Sequence, residues 1–366
     1  MSSGTPRAAA SMEIPAVEGP EAGGGEPSPR PRLTRTRLVL DNGHRVGVSI
    51  AGRGVPLVVV HGYSAEGFLY AQSLSRLVGL GFQVVAIDTA GHGGTQGLPA
   101  MGADLSAYVD ILGQTVDALG IRHAVLAGHS MGGRMVADLA AQRPERTIGV
   151  LLLDAIVGDT WDRMTTGMRV APAVFIPYAA ALIIDSISPL HFLRSPRQAA
   201  KVARLAGPTV AGHFRHPGRL AGPALSILRS GKSAEGLDRL AEAEVPVFVV
   251  QGTLDFVVPM ATARDTVRRV DGQLIEVHRG GHSWLLKDPE TLPAIVEQLL
   301  VGALGRARDA RLRAEGVDPD VGTLAEIEQA CYDPGAAALD LAPALPDATD
   351  SGRRRRPGYR FSLRFD

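Results

Sequence analysis

Residues 128–132 read Gly128-His129-Ser130-Met131-Gly132, directly after the apolar run 124–127 and directly before a stretch with apolar residues at helical spacing that stops at Pro144. A chain that passes from strand to helix across so few residues has little conformational choice. The residue at the apex must take a backbone conformation that L-residues avoid, and its neighbours must be small, because their Cβ atoms would meet the strand or the helix. Gly128 and Gly132 meet that demand, and Gly133 adds slack. The apex residue is Ser130, so the turn lifts one hydroxyl clear of the strand and points a helix N-terminus at any negative charge that develops beside it.

The same strand-to-helix alternation extends along most of the chain. Strands are expected near 34–40, 45–51, 56–60, 83–87, 123–128, 148–153, 245–250 and 273–278, and helices near 67–79, 104–119, 131–142, 260–269 and 288–303. Asp41-Asn42-Gly43-His44 signals a hairpin between the first two strands. The remaining strands alternate with helices, which predicts an α/β protein with a mostly parallel eight-stranded sheet covered on both faces. The sixth and seventh strands are separated by residues 158–240, apolar but interrupted by Pro172, Pro177 and Pro189. The expected organisation is a disordered leader at 1–32, a core at 33–157, a helical insertion at 158–240, the rest of the core at 241–303, and an extension at 304–366. That extension is expected to be partly helical near 306–315 and 323–332, disordered over 333–350, and basic at its end.

A serine hydroxyl attacks a carbonyl only when a base takes its proton and an acid holds that base. Ten histidines are available. With its strand, G-x-S-x-G turn and helix, the chain resembles the α/β-hydrolase superfamily, in which the order is serine, acid, histidine. The resemblance covers about residues 33–303 and implies a helical cap at 158–240. It points to His282, in the loop Gly280-Gly281-His282 after the strand near 273–278, and to Asp255, in the loop after the strand near 245–250. Asp154, at the end of the strand near 148–153, stands where some members carry the acid and remains an alternative. The family's oxyanion loop resembles His61-Gly62-Tyr63, so the backbone N–H groups of Tyr63 and Met131 are the implied donors. Asp88-Thr89-Ala90-Gly91-His92-Gly93 resembles a further family loop.

The other histidines have plainer readings. His61 braces its own loop, His92 shapes a turn, His44 belongs to the hairpin, and His129, preceding the nucleophile, packs or hydrogen-bonds. His213 and His216 lie three apart, but Pro217 and the lack of nearby carboxylates argue against a metal, so neither metal nor cofactor is expected. Trp161, Met164, Phe175, Tyr178, Phe192 and Trp284 are the candidate substrate-pocket side chains, which implies a small-molecule substrate with an apolar part.

Charge and cysteine content narrow the partners. Lys plus Arg and Asp plus Glu each number 38, so no global field draws the protein to nucleic acid. A single cysteine, Cys331, excludes an internal disulfide and fits a reducing compartment, so a cytoplasmic location is expected. The leader lacks the apolar segment of a secretory signal, and no run is long and apolar enough to span a bilayer. A basic-aromatic end (352–366) and an apolar cap leave peripheral membrane contact open. Oligomeric state is not fixed by the sequence.

The function implied is a serine hydrolase cleaving a carboxylic ester through an acyl-enzyme on Ser130. Carbon–carbon bond hydrolases and cofactor-free haloperoxidase-type perhydrolases share the serine context and remain alternatives, as does an acyltransferase. Epoxide hydrolases and haloalkane dehalogenases use aspartate at the turn and are disfavoured. A non-catalytic receptor or scaffold on the same fold is the alternative of another class.

Overall fold

Runs of apolar, mostly β-branched residues without polar alternation build strands buried on both faces, and four such strands form the centre of the sheet. The structure, a computed structural model, describes residues 11–12, 33–63, 70–98, 104–171, 218–342 and 356–364, with isolated positions between 173 and 207. Its strands are β1 (Ser11–Met12), β2 (Thr34–Val39), β3 (Arg45–Ala51), β4 (Val55–Val60), β5 (Phe82–Ile87), β6 (Ala124–His129), β7 (Thr147–Leu153), β8 (Val247–Gly252), β9 (Gln273–Val277) and β10 (Phe361–Arg364). They form one sheet in the order β1-β10-β9-β8-β7-β6-β4-β5-β3-β2. Every residue of β4, β6, β7 and β8 is buried. The pairings from β5 through β4, β6, β7 and β8 to β9 are parallel, and those at both flanks are antiparallel.

The helices are α1 (Ala71–Leu77), α2 (Leu105–Ala118), α3 (Met131–Gln142), α4 (Asp159–Val170), α5 (Gly218–Arg229), α6 (Ala234–Glu242), α7 (Met260–Val270), α8 (Trp284–Lys287), α9 (Thr291–Val301), α10 (Ala303–Ala314), α11 (Leu324–Cys331) and α12 (Ala337–Leu341). No described helix is long and apolar enough to cross a membrane.

Register places the site. Val60 pairs with both Ile87 and Gly128, His129 with Leu153, Leu153 with Val250, and Gly252 with Val277. The C-terminal ends of five parallel strands therefore align, and the loops beginning at His61, Ser130, Asp154, Thr253 and His278 leave the sheet along one edge. In open parallel sheets that edge is where ligands bind.

Two expectations need correction. The sheet has ten strands rather than eight, because the end of the chain adds β10 to the free edge of β9 and Ser11–Met12 of the leader pairs with β10. Phe361–Arg364 alternates apolar and polar side chains, a strand pattern, and the open edge of β9 supplies its ladder. The stretch expected to lack structure over 333–350 contains α12, whose Ala338 is fully buried and donates its N–H to the Leu119 carbonyl (3.0 Å).

The extension also covers the N-terminal ends of β4, β5 and β6, opposite the loops that carry the candidate site. The carbonyl of Cys331 accepts from the N–H groups of Arg122 (2.8 Å) and His123 (3.2 Å). The Tyr332 hydroxyl lies 2.8 Å from the Gln83 amide oxygen and 3.0 Å from the Gly54 carbonyl, and the Gln83 amide N–H donates to the Ala338 carbonyl (3.0 Å). The Thr323 side chain and Glu326 form a reciprocal cap that starts α11.

Candidate active site

Ser130 has φ 54° and ψ −116°, the strained apex its sequence context requires. A Cβ on Gly128 would fall 2.2 Å from the Gly132 carbonyl oxygen, one on Gly132 2.3 Å from the Val60 carbonyl oxygen, and one on Gly133 2.4 Å from Ala155 Cβ. The backbone holds the strain: the Ser130 N–H donates to the Leu153 carbonyl (2.9 Å), and its own carbonyl accepts from Ile156 (3.2 Å). The oxyanion loop abuts this apex, since a Cβ on Gly62 would lie 3.1 Å from Ser130 Cβ and 2.8 Å from His129 Nδ1. Tyr63 follows in that loop, half-buried, and Met131 is fully buried as the first residue of α3.

His282 and Asp255, 27 residues apart, meet through one hydrogen bond of 2.8 Å between Nδ1 and Oδ2. Asp255 is held from three further directions. The Gln251 amide N–H donates to Oδ2 (3.1 Å), and the N–H groups of Val257 (2.8 Å) and Val258 (2.9 Å) donate to Oδ1. A carboxylate can only accept, so His282 Nδ1 is the donor and Nε2 keeps its lone pair, the tautomer of a general base.

Asp154, the alternative acid, does not bond His282. It is fully buried, accepts from the Gly252 N–H (2.8 Å) and the Trp284 indole N–H (2.5 Å), and lies beside Asp255. Burial first, and the charge of Asp255 second, hold its carboxyl well above the usual carboxylate range. Trp284 was a pocket candidate. Here it is wholly inaccessible with its N–H engaged by Asp154, so the residue braces the acid loop instead of lining a substrate pocket.

A second brace ties three loops together. His129 Nε2 lies 2.9 Å from the His282 carbonyl, which can only accept, so Nε2 carries the proton. Nδ1 must then accept, and the Tyr70 hydroxyl donates to it at 3.0 Å. Tyr70 also receives a backbone hydrogen bond from Gly62, and burial pushes its phenol pKa well up, which fixes it as a neutral donor. Oxyanion loop, serine turn and histidine loop are thus joined through Gly62, Tyr70, His129 and His282.

His61 joins its loop to the next: Nδ1 lies 2.8 Å from the Gly62 carbonyl, and Nε2 accepts from the Thr89 N–H (2.9 Å). His92 lies 3.1 Å from the Thr89 hydroxyl within its own turn. Asn42 Oδ1 accepts from the His44 N–H (2.9 Å), closing the hairpin.

Of the cap candidates, Trp161 is buried on α4 and Met164 is half-buried against the core. Phe175, Tyr178, Phe192, His213 and His216 lie outside the described residues. Leu254 and Phe256 flank Asp255 in its loop and are exposed, Phe256 by 77%. A cavity of about 200 Å³ between α2, α3 and α6 is lined by Arg134, Asp138, Lys232 and Arg239 and by none of the three triad residues. Sequence reasoning did not identify Gln251 or Tyr70. Gln251 ends an otherwise apolar run beside Asp255, which is a usable signal, whereas Tyr70 carries none.

The sequence profile of the family described as "Serine aminopeptidase, S33" matches residues 55–290. A protein of Mycobacterium phage D29 that carries the provisional name non-heme haloperoxidase is 31% identical over 278 residues, 74% of this chain and 96% of that protein. A monoacylglycerol lipase of Mycolicibacterium smegmatis is 29% identical over 245 residues, 65% of this chain and 84% of the lipase. Among solved structures, an esterase from Thermogutta terrifontis superposes with a TM-score of 0.57 at 22% identity, covering 73% of this chain and 98% of that one, a likeness of fold. With the profile spanning more than half of the chain, from β4 to the start of α9, the protein belongs to the S33 family of α/β-fold hydrolases.

Proposed function

We propose that the protein hydrolyses a carboxylic ester with an apolar acyl or alcohol part, with Ser130 as nucleophile, His282 as base and Asp255 as the acid that orients it. The observation that carries this reading is the 2.8 Å bond from His282 Nδ1 to Asp255 Oδ2, in a site where the oxyanion loop abuts a strained serine. Ser130 Oγ adds to the carbonyl carbon as His282 Nε2 takes its proton. Negative charge moves to the carbonyl oxygen, where the N–H groups of Tyr63 and Met131 receive it. The tetrahedral intermediate collapses, His282 returns the proton to the leaving alcohol, and a water activated by His282 releases the acid. Asp255 balances the imidazolium throughout without taking its proton.

Preference for an apolar substrate is supported by Leu254 and Phe256 at the acid loop and by Trp161 and Met164 on α4. The test is hydrolysis of p-nitrophenyl esters from acetyl to palmitoyl by wild type and Ser130→Ala. Turnover that rises beyond acetyl and disappears in the mutant supports the reading. Turnover that persists in the mutant refutes it.

The relationship to the phage protein named for haloperoxidase favours one second reading. The same acyl-enzyme intercepted by hydrogen peroxide instead of water yields a peracid. Peroxide-dependent halogenation that requires both a carboxylic acid and Ser130 would establish it.

A further inference from the structure

A fully buried carboxyl that does not touch the imidazole stands against the acid that does. Asp154 directly follows β7 with φ 45°, a left-handed conformation that Asp and Asn tolerate better than most residues. Its N–H donates to the Val250 carbonyl on β8 (2.9 Å), so the residue is fixed to the strand that leads into the acid loop. Its two oxygens accept from donors on either side of the triad pair. One donor is the Gly252 N–H, three residues before Asp255, and the other is the Trp284 indole N–H, two residues after His282. The groups facing Asp154 are therefore Gly252, Trp284 and Asp255, with the neutral Tyr70 phenol nearby. Among the described residues no lysine or arginine forms an ion pair with it.

Asp255 already receives four N–H donors, from Gln251, Val257, Val258 and His282. Two adjacent buried charges facing one imidazole would leave one of them without a cation, which low-dielectric surroundings penalise heavily. A neutral Asp154 removes that conflict, because a protonated carboxyl still accepts from Gly252 and Trp284 while its O–H donates to Asp255.

We propose that Asp154 is a positioning residue that keeps one proton and donates it as a hydrogen bond to Asp255, so that the pair presents a single negative charge to His282. This deepens the triad reading and rests on Asp255 serving His282. The proton stays on Asp154 throughout, so no bond to substrate forms or breaks there. Asp154 also joins the acid and base loops mechanically, through Gly252 and Trp284.

Infrared difference spectra between wild type and Asp154→Asn at neutral pH test this directly. Asn keeps a neutral side chain and tolerates the backbone. The expected result is a protonated-carboxyl C=O band present in wild type and absent in the variant. Unchanged spectra in that region, with a carboxylate band lost instead, overturn the proposal.

Thermal stability against pH is an independent readout. The folded carboxyl holds its proton above the unfolded value, so its contribution to stability is full below the unfolded range near about 3.9 and is lost as pH rises toward the folded value. Asn does not titrate, so the melting temperature of Asp154→Asn relative to wild type should increase steadily as pH rises above that range. A relative melting temperature that decreases with rising pH would mean a charged Asp154 and overturn the proposal. Should Asp154→Asn fail to fold, Trp284→Phe withdraws the indole donor and must shift the carbonyl band without abolishing it; a band that stays in place contradicts the assignment. Both readouts operate without substrate. An enzyme inactive on every ester but showing the band would refute ester hydrolysis and leave the proton on Asp154.

Discussion

The two edges of the sheet bury polar groups for opposite purposes. Along the C-terminal edge, Ser130, Asp255, His282 and Asp154 are all buried, two of them have positive φ, and two carboxyls lie side by side. Along the other edge, the extension buries Gln83, Cys331 and Tyr332 in hydrogen bonds beside the ion pairs Arg53–Glu328 and Arg122–Glu315. Burial pushes the Cys331 thiol up to about 12 and the Tyr332 phenol well above its usual value, so neither ionises near neutral pH. At one edge stand the groups proposed to exchange protons, and at the other a thiol and a phenol that stay neutral. The same cost of desolvation raises a carboxyl beside a second carboxyl at one edge, and a thiol and a phenol beside ion pairs at the other.

The widest separation of the two edges is expected at the nucleophile. Ser130→Ala should lower ester turnover by about 10⁶-fold, read in steady-state assays, with secondary structure unchanged by circular dichroism. Ser130→Gly should be equally inactive yet more stable by about 1 kcal/mol in urea unfolding, because glycine accepts a positive φ. A Ser130→Gly protein less stable than wild type would break the claim that this edge stores strain. Next, Asp255→Asn should reduce kcat by about 10⁴-fold, since an amide cannot accept from both sides as the carboxylate does.

The extension's contacts at the N-terminal strand ends should respond in stability and not in rate. Tyr332→Phe takes the hydroxyl from between Gln83 and Gly54 and should cost about 1–3 kcal/mol of unfolding free energy, with kcat unchanged. A drop in kcat there would show that the edges are coupled. Tyr70→Phe sharpens the comparison from the catalytic side. It removes the donor to His129 Nδ1, and kcat should fall about tenfold with KM nearly constant. Smallest is Arg364→Ala on β10, which loses a 2.8 Å ion pair to Glu276 from a half-exposed side chain and should change stability by less than about 1 kcal/mol.

These differences also explain what the sequence could carry. The serine turn was legible because its glycines are demanded by close backbone approach, and such demands are local. Asp255 and His282 were legible by their positions after β8 and β9, which register brings to one edge. Their position also favoured Asp255 over Asp154, and the structure adds the contact itself, with His282 Nδ1 on Asp255 and the Trp284 indole on Asp154. Tyr70 was illegible: its partner is 59 residues away and nothing near it in sequence calls for a hydroxyl. The elements α12 and β10 were not legible because they are too short to show periodicity; each forms against a surface supplied by the rest of the fold.

The most direct test of the account is to quench the enzyme in acid during turnover of an apolar p-nitrophenyl ester and map the adduct by mass spectrometry. The account predicts one acyl group on the peptide containing Ser130, formed with a burst of p-nitrophenol and absent from Ser130→Ala. Steady turnover with no acyl adduct, or an adduct on another residue, would contradict it.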